Sequence, residues 1–323
     1  MKHPRLAILP ALALVGAAPP AVRRIELPVR AVTLSNGTTR FGVPVRITGR
    51  QVEAGLDTGS TGLRVMARAL PADAAKTGGG VRYAYGVGTQ LNGVEVEATV
   101  AFGDGAAMPV RVQRVETLSC TSDRPRCPAL GADPATFGIQ GDGLPNEGFA
   151  AILGVDLRRD RQPNPFEATG ARRWIVELPM PGSATPGRVI LDPTADETAG
   201  YRVLRFRDDD SLPACIDGPA PLGRVCGPAT IDSGAPGLRV VQAATHRPVP
   251  DGSPATIAMG DGGGGTAAVS MDVVTGRRDQ ASRLIFERRA DAASPRLFLG
   301  IAPYYRFSIL YDADARTIGF RPR

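Results

Sequence analysis

Leu56-Asp57-Thr58-Gly59-Ser60-Thr61-Gly62-Leu63-Arg64-Val65 returns later in the chain as Ile231-Asp232-Ser233-Gly234-Ala235-Pro236-Gly237-Leu238-Arg239-Val240. Six of the ten positions are identical, and most of the others exchange one small residue for another. Each copy sets one carboxylate between an apolar run and a hydroxyl-glycine pair. Gly59 and Gly234 have no Cβ, so backbone N–H groups can approach the carboxylates closely. Thr58 and Ser233 carry short hydroxyls able to hydrogen-bond from one copy to the other. Two such turns in one chain let two carboxylates meet across a pseudo-two-fold axis. Such a pair shares one proton, because like charges held close together cannot both ionise easily.

The repeat extends outward from these turns. Ala151-Ile152-Leu153-Gly154-Val155 follows the first, and Leu297-Phe298-Leu299-Gly300-Ile301 follows the second. Between the marks lie period-2 stretches joined by turn residues, as strands require. Val94–Val100 alternates before Gly103-Asp104-Gly105. Ala255–Met259 leads through glycines 262–265 to Ala268–Val273. Pro and Gly concentrate over Pro179–Gly187, between Trp174–Leu178 and Arg188–Leu191, which marks a boundary or a turn within a shared sheet. Helix is expected only in short pieces around Ala67–Leu70 and Gln242–Thr245. The 39 glycines and 29 prolines in 323 residues fit many short strands, an all-β chain.

The N-terminus reads as a secretory signal over residues 1–17. Lys2, His3 and Arg5 precede ten apolar residues, Leu6–Val15, too few to span a bilayer, and Val15-Gly16-Ala17 offers a small-residue cleavage site. This predicts a secreted or periplasmic protein without stable membrane insertion. Four cysteines fall in two close pairs, Cys120/Cys127 and Cys215/Cys226, which in an exported chain suggest local disulfides. A metal site is the weaker alternative, since no histidine lies near either pair. Net charge is +6, nearly all of it from arginine, because the only lysines are Lys2 and Lys76. The arginines are scattered without aromatic stacking partners, as at Arg158-Arg159-Arg161, which fits a solvated surface and not a nucleic-acid groove.

Taken together, these motifs resemble the pepsin-like aspartic peptidases over nearly the whole length after the leader. Tyr83-Ala84-Tyr85-Gly86-Val87-Gly88 resembles the tip of the family's flap hairpin, with Tyr85 on the flap tyrosine and Gly86 beside it. The two apolar-apolar-Gly segments match those that run beneath each catalytic loop. Phe307–Asp312 and Ile318-Gly319-Phe320 resemble the C-terminal strands, and Cys215/Cys226 falls where the family commonly has a disulfide. The Gly62-Leu63-Arg64 continuation is similar to that of secreted bacterial proteins with a pepsin-like core.

The resemblance implies a bilobal protein, with residues 18–181 as the N-terminal lobe and 182–323 as the C-terminal lobe. It implies an endopeptidase acting as a monomer on peptide or unfolded protein. Asp57 and Asp232 would be catalytic, supported by Thr58, Gly59, Ser60, Ser233 and Gly234, and no metal or cofactor is called for. The alternative is an inactive pepsin-like binding or inhibitor protein. Two departures favour that alternative. Ala235 stands where the family usually has a hydroxyl, which predicts one hydrogen bond fewer to Asp232 and a raised pKa there. Arg64 stands where the family has a Trp behind the flap tyrosine, and can stack on Tyr85. Asp57 begins only about forty residues beyond Ala18, which leaves little room for a prosegment. Ser60 has one histidine to draw on outside the leader, His246 on a Pro-rich stretch expected at the surface, so a Ser-His-Asp triad is poorly supported. Asp208-Asp209-Asp210 is expected to be an exposed acidic loop.

Overall fold

The computed structural model describes residues 24–206, 211–260 and 268–323. The leader, the Asp208–Asp210 run and the glycine turn at 262–265 lie outside the described residues. The chain is all-β: the described residues form twenty strands with only short helical turns. The strands form a thirteen-stranded and a seven-stranded sheet.

Each copy of the aspartate motif lies in the same local weave. Strand Arg50–Asp57 runs parallel to Ala151–Val155, which pairs antiparallel with Thr61–Met66, which runs parallel to Met108–Cys120. In the second copy Gly223–Ile231 runs parallel to Arg296–Gly300, which pairs antiparallel with Leu238–Gln242, which runs parallel to Leu284–Arg288. Every residue of Ala151–Val155 and Thr61–Met66 is buried. Ala151–Val155 is a continuous apolar run, as strands covered on both faces are. The glycines of the apolar-apolar-Gly segments permit the weave. A Cβ on Gly154 would sit 2.8 Å from both the Gly62 carbonyl and Ser60 Oγ, and one on Gly300 would sit 2.3 Å from the Gly237 carbonyl.

The alternation read from the sequence appears as hairpins. Thr89–Ala101 pairs with Met108–Cys120, and Pro254–Met259 pairs with Val269–Val274. The first weave closes on itself, because Thr39–Ile47 pairs with Arg50–Asp57 on one side and with Val100 and Ala101 on the other. The rest of the large sheet gathers distant parts of the chain. Its order there is Arg202–Arg205, Thr317–Pro322, Phe307–Asp312, Arg173–Glu177, Gly187–Leu191 and Ile25–Thr33. Ile25–Thr33 joins this part to the first weave, pairing with Gly187–Leu191 through its first half and Thr39–Ile47 through its second. The Pro/Gly stretch after Glu177 therefore links two paired strands of one sheet. Trp174 is fully buried there, stacked on Tyr311 and edge-on to Phe166.

One expected helix is absent. Residues 242–245 form none, because parallel pairing with Leu284–Arg288 carries Gln242 into a strand. Short helices occur instead at Pro165–Ala168, capped by Asn164, and at Ala195–Thr198, with a Thr194/Glu197 capping box. Ala67–Ala69 forms the expected short turn. Both cysteine pairs are disulfides, Cys120–Cys127 and Cys215–Cys226, which removes the thiolates a metal site would need. Two disulfides fit an oxidising compartment. Among the described residues no helix is long and apolar enough to cross a membrane.

Candidate functional site

Asp57 ends strand Arg50–Asp57, and Asp232 follows Gly223–Ile231 at the matching place. The two loops grip one another reciprocally. Thr58 N–H donates to Ser233 Oγ at 3.0 Å, and Ser233 N–H donates to Thr58 Oγ1 at 2.9 Å. Each hydroxyl then donates across to the partner loop's strand, Thr58 to the Ile231 carbonyl at 3.1 Å and Ser233 to the Leu56 carbonyl at 2.8 Å. Both side chains are buried, so these four bonds are protected from water and fix the loops against each other.

This grip turns both carboxylates toward one space. A Cβ on Gly234 would lie 3.0 Å from Asp232 Oδ1 and 3.2 Å from Asp57 Oδ1. A Cβ on Gly59 would lie 2.4 Å from the Asp232 carboxyl carbon. Glycine is required at both places for that closeness. Asp57 accepts from Gly59 N–H at 2.9 Å and from the Ser60 hydroxyl at 2.7 Å. Asp232 accepts from Gly234 N–H at 2.7 Å, and Ala235 has no hydroxyl to add. Asp232 keeps some exposure, yet protein crowds its carboxyl. Burial first, and the Asp57 charge second, push it up to about 8. Over a broad range above the ordinary carboxylate value, Asp232 therefore holds a proton beside Asp57.

Arg64 points inward and is 1% exposed. Its guanidinium donates to the Thr61 carbonyl at 2.8 Å and the Gly62 carbonyl at 3.3 Å. It stacks on Tyr83 at 3.4 Å, not on Tyr85. The reason is register. Tyr83 is paired within the hairpin, opposite Leu91, whereas Tyr85 lies beyond it in the turn. The Tyr85 hydroxyl is buried without a hydrogen-bond partner among the described residues, and burial raises its pKa. Tyr83 packs edge-on to Tyr85.

Gly86, at the hairpin tip, offers its carbonyl to Arg239 at 3.4 Å. Arg239, the counterpart of Arg64, is not enclosed. It lies over Phe298 and pairs with Glu287 at 3.4 Å. The loop closed by Cys120–Cys127 reaches the Glu287 strand and the residue just after it, with Arg124 on Glu287 at 2.5 Å and Asp123 on Arg289 at 2.6 Å.

Several residues around the aspartates escaped the sequence reading. By sequence Arg158 belongs to a run of arginines that reads as solvated. Arg159 and Arg161 are exposed, but Arg158 turns inward to the Gly59 carbonyl and the buried Asp156 carboxylate. Burial raises Asp156, and Arg158 opposes this. Tyr304 donates to Thr58 Oγ1 at 2.7 Å and shares a 2.5 Å bond with Tyr311, so a hydroxyl chain reaches the grip from the C-terminal strands. Arg40 donates to the Gly234 carbonyl at 2.6 Å and to the Gln140 carbonyl at 3.0 Å. Nothing local in the sequence marks these residues. Each acts through a neighbour far away in the chain.

His246 is half-buried, not free at the surface. It stacks on Phe286 at 3.6 Å, with its ring nitrogens against the carbonyls of Arg247 and Leu222. Ser60 gives its hydroxyl to Asp57 instead. Among the described residues no group of His, Cys, Asp and Glu is arranged to hold a metal. No model of a known protein family matches the chain, and no curated protein matches it in sequence.

Proposed function

We propose that the protein is an aspartic endopeptidase of pepsin-like, bilobal type, with lobes at 18–181 and 182–323, exported from a bacterial cell. The observation that carries this reading is the reciprocal Thr58/Ser233 grip, which turns Asp57 and Asp232 toward one space. An extended peptide or unfolded protein would lie between that space and the hairpin tip at Tyr85 and Gly86. A water between the carboxylates attacks the scissile carbonyl carbon. Asp57 takes the water's proton, braced by Gly59 N–H and Ser60. Asp232, held protonated by its surroundings, gives its proton to the carbonyl oxygen. The diol then collapses: its C–N bond breaks, a hydroxyl proton returns to Asp232, and the leaving nitrogen takes the proton held by Asp57.

Cleavage of an unfolded protein between about pH 3 and pH 9 tests this reading. Asp57→Asn and Asp232→Asn are each expected to lose at least about 1,000-fold in kcat while remaining folded. Full turnover by either variant would overturn it. A second reading, an inactive pepsin-like binding or inhibitor protein, draws on Arg64 beneath Tyr83 and on the hairpin tip resting against Arg239. A folded wild type that binds extended peptides without cutting them would favour it.

A further inference from the structure

A third charge sits behind the aspartates. Arg40 is the second residue of strand Thr39–Ile47, whose following residues Phe41 to Val43 are buried, so the strand is fixed in place. Its two acceptors are neutral carbonyls, Gly234 at 2.6 Å and Gln140 at 3.0 Å. Gly234 is also the residue whose N–H binds Asp232 Oδ1 at 2.7 Å. A single residue of backbone thus links the guanidinium to the second carboxyl. The other anchor is equally fixed. Gln140 has a φ of 63°, and its amide is wedged between two glycines. A Cβ on Gly55 would lie 2.6 Å from Gln140 Oε1, and one on Gly234 would lie 2.7 Å from its Nε2. A guanidinium cannot lose its proton at any pH a protein tolerates.

We propose that Arg40 is a positioning residue and the resident counter-ion of the aspartate pair, tying the Asp232 loop to Gln140 and fixing the charge of the site. The other groups facing Asp232 leave that task to it. Asp57, from Arg50–Asp57, brings negative charge. Arg158, after Ala151–Val155, has Asp156, and Arg239, on Leu238–Gln242, has Glu287. Tyr304 and Tyr311, from the C-terminal turn and strand, are phenols that burial keeps neutral. Tyr83 and Tyr85 bear on Asp57, and Arg64 lies over Tyr83 with the Thr61 and Gly62 carbonyls as its acceptors. The charge of Arg40 acts on Asp232 and Asp57 both. It opposes the rise that burial imposes on Asp232, so removing it extends the protonated range of Asp232 upward.

The proposal rests on the peptidase reading only for its effect on rate, so the test has two arms. The first follows the Asp232 carboxyl by NMR in protein carrying 13C-labelled aspartate, with the resonance assigned through Asp232→Asn. Arg40→Gln keeps an amide donor for one carbonyl, and Arg40→Met offers an apolar replacement if the first does not fold. In either folded variant the Asp232 midpoint is expected to move up by about one pH unit, while Arg40→Lys leaves it near wild type. The second arm reads the alkaline limb of kcat/KM, which is expected to move up by the same amount. Coincident midpoints in wild type and a neutral variant would overturn the proposal, even if Tm fell, because loss of a counter-ion must shift the titration of the group it faces. A shifted midpoint in a protein that never cleaves peptide would support the counter-ion and defeat the peptidase reading.

Discussion

Ser60 and Ala235 occupy the same place in the two repeats, and the hydrogen bonds to the two aspartates differ there. Ser60 donates to Asp57, whereas Asp232 has the Gly234 amide without a hydroxyl. Ala235→Ser is expected to stabilise the charged form of Asp232 and bring the alkaline limb of activity down by about half a unit to one unit. A pH-rate profile checks it. The raised Asp232 pKa also has a thermodynamic sign. The folded state holds a proton that the unfolded chain releases near the ordinary carboxylate value, so the stability from this group is complete below that value. It is lost as pH rises toward about 8. Asp232→Asn is therefore expected to raise Tm by roughly 2–5 °C at pH 8 and to flatten the pH dependence, as calorimetry would read. Tyr304→Phe removes the donor to Thr58 and is expected to cost about 1 kcal/mol in denaturant unfolding. At this scale the aspartates, hydroxyls and glycines were legible because each repeat is contiguous. Arg40, Arg158 and Tyr304 were not, because only the fold brings them to the loops.

Elements were legible where the pattern is local. Alternation marked the hairpins, and the repeated apolar-apolar-Gly segments marked matching places in the two weaves. The error at Gln242–Thr245 has a specific cause. Its strand is set by parallel pairing with Leu284–Arg288, more than forty residues away, and a parallel partner leaves no turn signal nearby. The glycines of the weave are the tightest constraint on the elements. Gly154→Ala places a Cβ 2.8 Å from the Gly62 carbonyl and from Ser60 Oγ. The expected loss is about 1–3 kcal/mol of stability in urea unfolding. A drop in kcat should accompany it, because Ser60 must shift away from Asp57. Wild-type activity in a fully stable variant would show that the contact relaxes freely.

Across the whole molecule, contacts between the two repeats differ in strength with depth. The buried grip at Thr58 and Ser233 is fully hydrogen-bonded, whereas Arg124–Glu287 and Asp123–Arg289 lie near the surface. Exposed pairs of this kind contribute only about 0–1 kcal/mol each. Glu287→Gln is therefore expected to change stability by less than about 1 kcal/mol while speeding hydrogen exchange at the hairpin turn, residues 85–89. Unchanged exchange would show that the tip does not depend on this contact. The meeting of strands from the beginning, middle and end of the chain was the least legible feature, since no local pattern announces which edges pair.

That meeting also orders events in time. Phe307–Asp312 lies between Arg173–Glu177 and Thr317–Pro322, and Tyr304 reaches Thr58 from the turn just before it. A chain still being synthesised has both aspartates long before it has these last strands. A version stopped after Ile301 is expected to show no proteolysis and no cooperative melting, and cleavage by that fragment would contradict this. On the peptidase reading proposed above, the growing polypeptide would carry the parts of a cutting tool that stays unassembled until Phe307–Pro322 has been made, and its maker would be spared until then.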